Sequence, residues 1–300
     1  MRKKFLSLSA IPVLLAAVVI SSCKNSGSSA GTVLKFDLEK GKQYGYEIVW
    51  DMDQKVMDRD DKINLLGNFS FEVIADDGKI KTLKGVYRTF RLYMKIMGLE
   101  MDIDTDKPTA AVSENENIEG MMKRLFSKIK GKAFTMRVDE EGNILSVSGL
   151  DEIINTMIDS AGLNEEMELQ MRASLRDQFN EQELKNQFAH IFMIFPDKAV
   201  NQGDSWQRNY SIAGKVAADF STIYTVKQKD GDLVSLDAKS AIRPAGGDME
   251  VKGTQSGTLL VDSKTGLVLQ AEFIQEMEAK VNDLQLTINS TGKVRGKEEN

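Results

Sequence analysis

Gln43-Tyr44-Gly45-Tyr46-Glu47-Ile48-Val49-Trp50-Asp51-Met52-Asp53 is the stretch that decides the architecture. Tyr44, Tyr46, Ile48, Trp50 and Met52 fall on every second position, with Glu47, Asp51 and Asp53 on the alternate ones. Successive side chains of a strand point to opposite faces, so this spacing predicts a long strand with one buried and one wet face. The same period returns at Ile63, Leu65, Phe69, Phe71 and Val73. After an Asp76-Asp77-Gly78 turn it runs on through Val86, Phe90, Leu92, Met94 and Ile96. One-sided alternation belongs to antiparallel sheets.

The period then changes. Ser113 with Glu116 makes a capping box, followed at helical spacing by Ile118, Met121, Met122, Leu125, Phe126 and Ile129. A hairpin interrupts, from Phe134, Met136 and Val138 to Ile144. Amphipathic helices follow on Leu150 to Ile158, on Met167 to Phe179 and, restarted by Asn180 with Glu183, on Leu184 to Phe192, which must stop before Pro196. Strands resume with Trp206, Tyr210 and Ile212, then Phe220, Tyr224 and Val226, and continue to Leu284, Leu286 and Ile288. The expected fold class is α+β: two antiparallel β-sheet units, 33–112 and 196–296, with a helical segment 113–195 packed on their apolar faces. That segment holds about four amphipathic helices and one β-hairpin.

The two units share an order of features. Gly41-Lys42-Gln43-Tyr44 matches Gly203-Asp204-Ser205-Trp206, and Phe71-Glu72-Val73 before Asp77-Gly78 matches Tyr224-Thr225-Val226 before Asp230-Gly231. A duplicated β-unit explains this, and so does convergent hairpin chemistry. Tyr44 and Trp206 are expected to be buried anchors of their sheets. Gly41-x-x-Tyr44 and Phe195-Pro196-Asp197-Lys198-Ala199-Val200-x-x-Gly203-Asp204-Ser205-Trp206 resemble a bacterial lipoprotein family catalogued only as a domain of unknown function, number 6263. The resemblance implies location and architecture over nearly the whole mature chain, and no activity.

Arg2, Lys3 and Lys4 precede an apolar run from Ala10 to Ile20 and then Ser21-Ser22-Cys23. These are the parts of an export signal over residues 1–22, with an apolar run shorter than the ~20 residues of a spanning helix. Cys23, the one cysteine of the chain, stands where a lipobox requires it. Resemblance to the lipoprotein class implies cleavage between Ser22 and Cys23 and acylation of Cys23. Lys24, in place of an aspartate, then points to the outer membrane, facing the periplasm. Residues 23–32 read as a flexible tether and 297–300 as a frayed tail.

Loss of residues 1–22 takes the formal charge from -6 to -9 over the remaining 278 residues. Such a surface repels nucleic acid. With a single cysteine the fold has no internal disulfide and must rest on its core.

No residue set predicts chemistry. His190, the one histidine, lies in an apolar helical stretch and reads as packed rather than as a general base, since no nucleophile motif accompanies it. Ser205 lacks the Gly-x-Ser-x-Gly elbow. Asp102, Asp104 and Asp106 would share a strand face and attract Ca²⁺, but Lys107 and Ser113 break the EF-hand pattern. Asp51, Asp53, Asp58, Asp60 and Asp61 lie beside Arg59 and Lys62 and, like the first group, read as a solvated face. Met121, Met122, Met157, Met167, Met171 and Met193 suit either a core or an adaptable pocket, with core filling favoured. The expectation is a non-catalytic envelope lipoprotein, without cofactor or metal, held at the membrane through Cys23. Its role is either binding of a hydrophobic ligand such as a lipid, or structural support of an envelope protein complex.

Overall fold

The computed structural model describes residues 31–56, 59–108, 118–212, 216–246, 249–281 and 284–299. The export signal, Cys23, the capping-box pair Ser113 and Glu116, and Asp58 lie outside the described residues.

β1 (Gln43–Val56) buries Tyr44, Tyr46 and Ile48 on its inner face. It pairs with β2 (Arg59–Asp76), which the Asp-Gly turn joins to β3 (Ile80–Ile96) and then to β4 (Leu99–Asp104). α1 (Ile118–Ser127), β5 (Ala133–Asp139), β6 (Ile144–Ser148), α2 (Leu150–Asp159), α3 (Glu165–Gln178) and α4 (Glu181–Phe192) follow, α3 and α4 separated by Phe179 and Asn180 alone. Asn180 Oδ1 caps α4 by accepting from the Glu183 amide at 2.9 Å. The meander β7 (Ser205–Ile212), β8 (Val216–Asp230), β9 (Leu233–Pro244), β10 (Met249–Asp262), β11 (Val268–Val281) and β12 (Leu284–Glu299) completes the described chain.

The strands form one twelve-stranded sheet, in the order β6-β5-β3-β2-β1-β12-β11-β10-β9-β8-β7 with β4 beside β3, and this overturns the expected pair of separate sheets. The physical reason is the pairing of β1 with β12, from Gln43 opposite Glu299 to Val56 opposite Leu286, which welds the two groups of strands edge to edge. The hairpin assigned to the helical segment is also part of this sheet, since β5 pairs with β3. Lys297, Glu298 and Glu299, expected to fray, continue β12 opposite Gly45, Tyr44 and Gln43.

The matching motifs do have matching local geometry within the single sheet. The Gly41 amide donates to Val73 O at 2.9 Å and the Gly203 amide to Val226 O at 2.8 Å, while Tyr44 stands opposite Phe71 and Trp206 opposite Tyr224. Tyr44 and Trp206 are both buried.

A segment before β1 crosses one end of the sheet. Leu34, Phe36 and Leu38 point into the core, and the Phe36 and Asp37 amides donate to Glu140 O (2.8 Å) and Thr265 O (2.9 Å). Thr32, placed by sequence at the end of the tether, exchanges backbone hydrogen bonds with Val200. Lys81, itself buried, ties Asp37 to Asp76 at 2.7 Å each.

The inner face carries two apolar clusters. The larger gathers helix residues such as Leu125, Ile153, Met157, Phe188 and Phe192 against Tyr44, Phe71, Phe134, Trp206 and Tyr224. The smaller lies where the inner face runs on past the last turn of α4, around Tyr210, Phe220, Ile242, Val251 and Ile288, with Ala189 reaching it from the helix.

Candidate functional site: an apolar cavity beside His190

α4 lies between the two outermost strands of the sheet. Lys185 Nζ donates to Leu145 O of β6 at 3.0 Å, and on the other side Tyr210 of β7 meets His190. Just beyond the helix, the Trp206 indole donates to Ile194 O at 2.8 Å. The helix thereby brings its last turn, with His190, to the border of the two apolar clusters.

A cavity of about 230 Å³ opens there. Met52, Ile212, Ala218, Ile242, Val251 and Met277 supply aliphatic walls, Trp50 and Phe220 aromatic ones. His190 and Gln275 are the two polar residues among the described lining, and none of the lining side chains is a carboxylate, lysine or arginine. Trp50 stacks on Phe273, with ring centroids 6.4 Å apart and planes 11° from parallel. It has room for this because Gly292 stands opposite it on β12: a Cβ there would lie 2.6 Å from the indole.

Gln275 belongs to a buried polar seam across five strands. Thr222, Ser240, Gln255, Gln275 and Ser290 stand directly opposite one another in register, from β8 to β12, and all are buried. Gln275 Nε2 donates to Gln255 Oε1 at 2.6 Å, Ser290 Oγ donates to Gln275 Oε1 at 2.7 Å, and Thr222 and Ser240 share a hydroxyl contact of 2.8 Å. Buried polar groups need such partners to offset their lost hydration.

Tyr210 Oη and His190 Nδ1 are 2.7 Å apart. The imidazole is ringed by Trp50, Tyr210, Phe220 and Phe273, with centroids 5.4–5.8 Å away. Burial lowers its pKa from 6.5 to about 4, so at neutral pH the ring carries one proton and no charge. Burial also pushes the Tyr210 phenol well above its ordinary value, which keeps its proton in place.

The other candidates from the sequence lie elsewhere. Ser205 Oγ pairs with Thr225 Oγ1 at 2.8 Å while His190 bonds Tyr210, so Ser205 does not meet the imidazole. Asp104 contacts Arg91 (3.2 Å), Asp106 contacts Lys130 (2.6 Å) and Asp102 contacts Lys107 (3.4 Å). In the other acidic group Asp51 accepts from Asn64, Asp53 pairs with Lys62, and buried Asp61 accepts from the Met97 amide. Among the described residues no three His, Cys, Asp or Glu side chains stand together as a metal site. Of the singled-out methionines, Met157 is fully buried in the large cluster and Met167 is exposed; the cavity takes Met52 and Met277 from strands instead.

A family model described as a family of unknown function, DUF6263, matches residues 78–268. The chain belongs to this family. The match takes in Phe195 to Trp206 but not Gly41 to Tyr44, and so covers less of the chain than the resemblance implied. No curated protein matches this DUF6263 chain. Among solved structures, one concerned with lipid–protein interactions in lipovitellin is 10% identical with a TM-score of 0.48, over 88% of this chain and 26% of that one. The chain thus spans about a quarter of that lipovitellin chain. Ail, the attachment invasion locus protein of Yersinia pestis, is 6% identical with a TM-score of 0.14, over 85% of this chain and 99% of its own. The outer membrane protein Omp33 of Acinetobacter baumannii is 8% identical with a TM-score of 0.17, over 84% of this chain and 99% of its own.

Proposed function

We propose that this DUF6263 chain is a non-catalytic binding module that holds an apolar ligand, such as one lipid tail, in the cavity beside His190. The observation that carries this reading is the uncharged, largely apolar lining of a 230 Å³ space on a sheet face. Left empty, such a space forfeits van der Waals contact, so an apolar occupant is favoured. Its volume falls below the ~300–1,000 Å³ of drug-sized ligand sites, which suits a single chain segment rather than a whole multi-chain lipid. In this reading Cys23 carries the acyl anchor that holds the module at the envelope membrane, and the net charge keeps it off nucleic acid.

Native mass spectrometry of the protein starting at Lys24, isolated under mild conditions, tests the proposal. A copurified apolar adduct that disappears in Ala218→Leu, a substitution that fills the cavity, supports it. An adduct retained by Ala218→Leu, or none together with no uptake of added octane, overturns it.

A further inference from the structure

The His190–Tyr210 contact leaves one polar hydrogen unused. If the phenol donates to Nδ1, the neutral imidazole carries its proton on Nε2; if Nδ1 carries the proton and donates, the phenol proton is left over. Neither Nε2 nor the phenol has a second hydrogen bond among the described residues. The phenol is the stronger acid of the two, so it donates to Nδ1, and the imidazole presents its Nε2–H as a neutral donor in a cavity lining whose other polar residue, Gln275, already shares its amide with Gln255 and Ser290. His190 is partly exposed there, so water serves this donor until an occupant displaces it, and the occupant that suits this wall brings an oxygen acceptor in its place.

The acceptor's charge is also constrained. Among the described lining residues there is no lysine or arginine, so a carboxylate meets no counter-cation from them and would lose its hydration unrepaid. An ester, ketone or alcohol oxygen has no such penalty. Resting on the cavity reading above, we infer that the ligand is an apolar chain bearing a neutral oxygen acceptor, an acyl ester above all, which the His190–Tyr210 pair fixes by one hydrogen bond.

The test uses three probes of similar length, octane, methyl heptanoate and heptanoate at pH 7, titrated into the protein starting at Lys24. The readouts are the methyl NMR signals of Ile212, Ile242 and Val251 and the ring nitrogen shifts of His190. The expected result is that methyl heptanoate moves both sets while octane moves the methyl signals alone, and that heptanoate binds at least tenfold more weakly than the ester. In His190→Phe, and in His190→Phe with Tyr210→Phe should the single variant fold poorly, the ratio of ester to octane affinity falls about three- to tenfold, the worth of one hydrogen bond. Octane and ester both binding with that ratio unchanged in the variants, or heptanoate matching the ester, overturns the inference and leaves the cavity reading standing. Failure of all three probes to bind overturns the cavity reading itself.

Discussion

Arg208 on β7 reaches Glu141 in the β5–β6 turn, with Nη1 2.9 Å from Oε2, and its Nη2 donates to Asn143 Oδ1 at 2.6 Å. β7 and β6 are the two ends of the strand order, so this one side chain ties the ends of the sheet together. Unpaired strand edges invite pairing with other chains, and here α4 and Arg208 occupy the space between them.

Replacing Arg208 with methionine keeps its aliphatic packing and removes the clasp. The expected loss is about 1–3 kcal/mol, the range for charge-assisted hydrogen bonds whose partners are left without a donor. Urea unfolding measures the loss, and light scattering should show more self-association at high concentration. Unchanged stability and unchanged scattering would mean that α4 alone closes the gap.

Stability should fall as the solution is acidified from neutrality. Because the folded pKa of His190 is lowered to about 4 from 6.5, the unfolded chain binds the proton first, and stability rises with pH between those values and is flat above them. Between pH 7 and pH 5 the loss from this group is about 2 kcal/mol. Asp37, Asp76 and Glu141, whose pKa values are lowered, lose their contributions at more acid pH, while Glu183, whose pKa burial raises, binds its proton first in the folded chain and offsets part of the fall. Denaturant melts at pH 5 and 7 should show a difference that shrinks in His190→Gln; an equal difference in that variant would place the pH dependence elsewhere.

The polar seam makes a sharper contrast between single and paired changes. Gln275→Leu strands the Ser290 hydroxyl and Gln255 Oε1, at a cost of about 1–3 kcal/mol. Changing Gln255, Gln275 and Ser290 together to apolar residues should cost less than the single change, because fewer buried groups remain without partners. Thermal melts of the two variants decide it.

Cys23→Ala should release the protein from the membrane fraction and abolish incorporation of labelled fatty acid, as one acylated cysteine is the anchor the sequence offers. Retention in the membrane fraction with label still incorporated would refute the lipoprotein reading.

Alternation made the inner faces of the strands legible from sequence: Tyr44 and Trp206 point inward and are buried. Helical spacing likewise showed which side of the last helix faces the core, through Leu184, Phe188, Ile191 and Phe192. Strand neighbours were not legible, because a period of two says which face is buried and nothing about which strand lies alongside. Tyr44 opposite both Phe71 and Glu298 is a fact of register between segments far apart in sequence. The cavity escaped for the same reason: its walls come from α4 and six strands, and Ala218, Val251 and Met277 have no local pattern in common. Alternation put Trp50 and Met52 on a buried face without joining them to the other walls, and His190 stood out as a polar residue in an apolar stretch, a signal that favoured plain packing.

The pairing of β1 with β12 also sets a timetable for folding. Gln43 to Val56 leave the ribosome long before Leu284 to Glu299, so the strand at the heart of the sheet waits for the last one before its second side is covered. The same holds for Thr32, Phe36 and Asp37, whose partners Val200, Glu140 and Thr265 come much later. Contacts so distant in sequence make folding slow and leave long unpaired strands in the unfinished chain. A chain that stops short of Leu284 would leave β1 and β11 each with a bare side, and it would aggregate where the full chain closes on itself.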